Sequence, residues 1–121
     1  MKSVRSKSYI DLRATIPSPR RDPAGARATF AVLALGVIDA IELGLLDTES
    51  AVRFFFHADN AMFVRRDLKD KLADDVMARG LQLSDLFTVL DPVLANRAFR
   101  VEIEKMRSAC RTLIGRAKLA A

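Results

Sequence analysis

The chain has no tryptophan, one histidine, one cysteine and one tyrosine, and its five glycines stand far apart at 25, 36, 44, 80 and 115. Each scarcity excludes something. One cysteine cannot form an intramolecular disulfide, and it fits a reducing compartment. One histidine, His57, leaves any metal site to carboxylates and Cys110, and no metal-ligand spacing occurs. Scattered glycines cannot build a phosphate-cradling loop, and no Gly-x-Ser-x-Gly elbow is present. His57 and Asp59 stand two residues apart at an expected helix end, a place for capping rather than for a base and its orienter. Asp67, Asp70, Asp74 and Asp75 lack the glycine and the alternation of a calcium loop and read as a solvated acidic face. The expectation is a non-enzymatic protein with no cofactor, no metal and no small-molecule substrate.

What is present is apolar and charged in good measure. Half of the 121 residues are hydrophobic and 29% are charged, enough for one globular domain with a modest core. The net charge of +5 is unevenly spread. Residues 1–22 carry six basic against two acidic side chains, residues 23–96 seven against eleven, and residues 97–121 seven against two. Basic ends around an acidic middle admit a polyanionic partner. Arg20-Arg21 before an apolar stretch has the outline of an export signal. Asp22-Pro23 breaks it, so a cytoplasmic protein is expected.

The apolar stretch itself organises the chain. From Ala28 to Ile38 there is no charged residue, and Phe30, Leu33, Val37, Ile38 and Ile41 share a helical face. Val32, Leu35 and Leu43 lie off that face, so the helix is apolar nearly all round. Crossing a membrane takes ~20 apolar residues. Asp39 and Glu42 cut the run short, which points to a central bundle helix over 23–43. Asp22 before Pro23 makes an N-terminal cap, and Gly44 suits the left-handed residue that closes a helix.

Around it the sequence predicts an all-α, single-domain bundle of four to five helices over 23–121. Residues 1–22 read as a basic, partly flexible N-terminal arm, where Pro17 and Pro19 oppose helix and Tyr9 to Ile16 suits a short extended segment. A second helix starts at Asp47 or Thr48 and runs to about His57. A third, capped by Asp67, runs from Leu68 to Arg79 and ends at Gly80. A short one follows Ser84-Asp85, and the longest begins after Asp91-Pro92 and reaches about Leu119. In this last helix Phe99, Ile103, Met106, Cys110, Leu113 and Ala117 form a heptad seam. Cys110 in that seam reads as a small buried hydrophobe rather than a nucleophile.

Two functional readings remain. The first is a protein-interaction module, joining a second copy of itself as a homodimer or acting as an adaptor for another protein. It rests on Phe54, Met62 and Phe63, large apolar side chains that a small bundle does not easily hide. Phe54 is the sharpest of these, because Phe55 and Phe56 share an inward face that it does not. The second is nucleic-acid binding by the basic arm and by a ridge of Arg100, Arg107 and Arg111, with Arg97 and Lys118 near its ends. No helix–turn–helix spacing or interleaved aromatics accompany that ridge.

Overall fold

The computed structural model describes residues 9–120, with side chains as far as Ala117. Lys2, Arg5 and Lys7 of the arm, and the side chain of Lys118, lie outside the described residues. The chain is all-α, with six helices and no strand among those residues. They are α1 (Leu12–Thr15), α2 (Pro23–Glu42), α3 (Thr48–Phe54), α4 (Ala58–Phe63), α5 (Lys71–Val89) and α6 (Pro92–Ala120). A π-helical turn, Val64–Leu68, prolongs α4.

Aspartates start the main helices by taking up amide groups that have no partner within the helix. Asp22 accepts from Gly25 N at 3.0 Å, Asp47 from Ser50 N at 2.7 Å, and Asp91 from Val93 N and Leu94 N at 3.0 Å. Gly44, at φ +78°, closes α2 as its position suggested. The cap of α5 is Asp70, not Asp67: the π turn carries the chain through Leu68, and Lys69 takes a left-handed conformation before the new helix begins.

α5 also joins two segments that the sequence separates. Gly80 does not end a helix. It lies buried in mid-helix, where an added Cβ would overlap the Phe56 ring, so this glycine serves close approach rather than termination. The helix count differs from four to five because α1 forms in the arm. One turn fits between Asp11, which accepts from Arg13 N, and Pro17. Leu12 and Ile16 anchor it in the core, and Ile10 N donates to Phe54 O at 2.8 Å.

α6 is shared by its neighbours. α2 and α5 both pack along it through Ile103, Met106, Cys110 and Leu113, the seam read from the sequence. Ion pairs fix the directions. Arg79 of α5 holds Glu102 at 2.7 Å, Arg27 of α2 faces Asp70 at 3.5 Å, and Arg107 of α6 reaches Asp39 at 3.1 Å. α2 therefore runs antiparallel to α6 and parallel to α5. By length and composition α2 is the one described helix able to cross a membrane, and here it packs as a core helix through Phe30, Ala34, Val37 and Ile38. It is not enclosed all round: Val32 is 57% exposed, because α2 has too few neighbours to cover its outer side.

Candidate interaction surface

The phenylalanines that suggested a docking face are mostly structural. Phe55 and Phe56 are buried in the turn after α3, Phe55 stacking on Phe30 of α2 with ring centroids 6.0 Å apart. Phe63 is only 3% exposed and lies under the Arg13 guanidinium. It is removed from the candidate surface, because α4 turns it into the core. Phe54 is half-buried against that core, which leaves it little area to offer a partner. Met62 is 44% exposed but isolated among polar neighbours.

The basic ridge is also interrupted. Arg107 is not a free cation: its guanidinium bonds Asp39 and Glu42 of α2, and Glu104 one turn back. Those hydrogen bonds, Asp39 first and then Glu42, raise its pKa above the ordinary arginine value. Arg111 is exposed and shares Glu104 at 3.8 Å. Arg97 and Arg100 are exposed near the start of α6.

The larger apolar surface lies elsewhere, at the tip of the α5–α6 hairpin. The level where Arg107 meets the last turn of α2 marks the end of α2's packing along α6. Beyond it, α5 is the main helical neighbour of α6 among the described residues, and Phe56 still reaches the hairpin at Gly80. Between Leu81 and Val101 only Leu83 and Ala95 are buried. Val89 is 78% exposed and Val93 67%, Phe87, Leu94 and Val101 are exposed as well, and the Phe87 ring lies 5.6 Å from Phe99. The sequence does carry the signal, in Leu86, Phe87, Val89, Leu90, Val93 and Leu94 around the Asp91-Pro92 turn. Reading Leu86–Leu90 as a separate short helix hides it.

The remaining reactive groups are occupied. His57 caps α4: Nδ1 accepts from Asn60 N at 3.4 Å and Nε2 donates to Ile10 O at 2.9 Å. The acidic residues are paired one by one, Asp67 with Arg13, Asp74 with Arg65, and Asp75 with Arg79. Among the described residues no three His, Cys, Asp or Glu side chains gather as metal ligands.

Cys110 is fully buried, and that burial pushes its thiol up to about 12. A thiol reagent at pH 8 is therefore expected to label Cys110 only after unfolding. The unfolded thiol ionises near 9.0, so its neutral burial costs nothing below that pH and lowers stability as pH climbs towards 12. The slope relative to Cys110→Ala should approach about 1.4 kcal/mol per pH unit. Denaturant melts of both proteins at pH 8 and pH 10.5 check it.

By fold this is an all-α, single-domain protein with exposed apolar side chains at the tip of its α5–α6 hairpin. No family model, curated protein sequence or solved structure matches the chain.

Proposed function

We propose that the protein is a non-enzymatic helical interaction module that self-associates through the tip of the α5–α6 hairpin. The observation that carries this reading is the exposure of Phe87, Val89, Val93 and Leu94 where α5 turns into α6. Exposed apolar area of that kind is unfavourable in water and favours association. The same tip carries both signs of charge, Asp85 and Asp91 beside Arg97 and Arg100, all exposed. A two-fold arrangement of two copies can set each sign against its opposite.

Sedimentation velocity tests it. The native chain is expected to sediment as a dimer at tens of micromolar. Val93→Asp, which places a charge among the exposed apolar side chains, should weaken association by about 30-fold, or ~2 kcal/mol, with helix content unchanged. A native chain that remains monomeric at 100 µM, or a Val93→Asp variant that dimerises as well as the parent, overturns self-association. The alternative of nucleic-acid binding along α6 retains Arg97, Arg100 and Arg111 but not Arg107, and the acidic partners of Arg107 interrupt the ridge at its centre.

A further inference from the structure

Away from the hairpin, a cleft of about 530 Å³ opens between the Ile16–Arg20 loop and the π turn after α4. Its floor is apolar, made by Ile16 and Phe63. Four cations line it, Arg13, Arg20, Arg66 and Lys69, against a single carboxylate, Asp67. That carboxylate is taken by Arg13 at 3.1 Å. Among the described residues Arg20, Arg66 and Lys69 have no acidic partner. Like charges brought together without counter-charges repel, so the cluster favours an anion that neutralises it.

The backbone is committed to this arrangement. Lys69 has φ 52° and ψ 48°, a left-handed conformation that a lysine adopts at a cost and a glycine would adopt freely. The π turn that precedes it adds a residue to the helix, a feature found often at functional sites. Pro17 and Pro19 stiffen the loop that carries Arg20.

We infer that this cleft binds a small phosphate-bearing molecule. Its volume lies within the range of small-ligand sites, at about 300–1,000 Å³. Arginine's planar fork suits phosphate oxygens, and lysine adds a point charge. An extended nucleic acid fits less well. The recess on the other side of Arg13 and Arg66 is lined by Asp11 and Asp59, which would repel a phosphate backbone continuing out of the cleft. This site is independent of association through the hairpin, and it departs from the sequence expectation of no small-molecule ligand. Its parts come from segments some fifty residues apart.

The test is calorimetric titration of the full chain with inorganic pyrophosphate, at constant ionic strength set by potassium chloride. Saturable binding at one site per chain is expected. Arg20→Gln and Lys69→Gly should each weaken it at least about tenfold, while Arg100→Gln, on α6, should leave it within about twofold. Binding that fails to saturate, or that Arg100→Gln weakens as much as Arg20→Gln does, overturns the inference in favour of general charge attraction. A single-stranded oligonucleotide that binds more tightly than pyrophosphate and competes with it overturns the small-ligand reading.

Discussion

Asn60→Leu is expected to destabilise the protein by about 3–4 kcal/mol, a large part of the ~5–15 kcal/mol that holds such a domain together. Asn60 is the one buried polar side chain among the described residues. Its Oδ1 accepts from Leu12 N at 3.0 Å, and its Nδ2 donates to Ile10 O at 2.9 Å and Phe55 O at 2.8 Å. Leucine is close in size but makes none of these bonds. Ile10 O would keep His57 Nε2, whereas Leu12 N and Phe55 O would be left buried and unpaired, at about 1–3 kcal/mol each. Denaturant unfolding measures the loss, and hydrogen exchange at the Leu12 amide should locate it. Asn60→Asp separates the two halves of the network. The carboxylate keeps the bond from Leu12 N but sets negative charge against two carbonyls. Only the protonated acid can donate to one of them, so its folded-state pKa is raised and its stability should improve as pH falls from 7 to 4. An Asn60→Leu variant within 1 kcal/mol of the parent would show that the network is not what holds α1 in place.

Gly80→Val should cost about 3 kcal/mol, enough to lower the melting temperature by roughly 10–15 °C. Two effects oppose each other here. Replacing a mid-helix glycine normally gains up to about 1 kcal/mol through helix propensity, and less for a β-branched residue. Against that, the Phe56 ring occupies the space of the new Cβ and cannot retreat, because it packs edge-on to Phe55 with ring centroids 5.1 Å apart. Overpacking therefore wins. Combining Gly80→Val with Phe56→Leu should recover part of the loss, and thermal melts of the two single variants and the double variant read the coupling. Additive costs would mean that the helix and the ring do not press on each other.

Gly80 also shows where the sequence stops being informative. A glycine after an apolar helical run reads as a terminator, and only Phe56, in the turn between α3 and α4, reveals its other use. Arg107 is similar: its spacing from Arg100 and Arg111 suggests a ridge, while Asp39 and Glu42, more than sixty residues earlier, take it up. Features with local causes were readable. The Asp-Pro starts of α2 and α6, the Gly44 stop and the seam around Cys110 each follow from residues within a turn or a few heptads. Features with distant causes were not, including the burial of Phe63 and the meeting of Arg20 with Lys69.

The dependence of α2 on α6 bears on how the chain is made. A ribosome adding about 5–20 residues per second takes roughly 3–13 s to travel from the end of α2 to the middle of the α6 seam. Through that interval the most apolar helix in the protein is synthesised and waiting, with its Phe30–Ile41 face lacking the surface that will cover it. Because its final partner is so distant along the chain, consolidation of the bundle is a late event, governed by loop closure rather than by helix formation. A nascent chain stalled before α6 would present that face to chaperones, and one released there would aggregate through it.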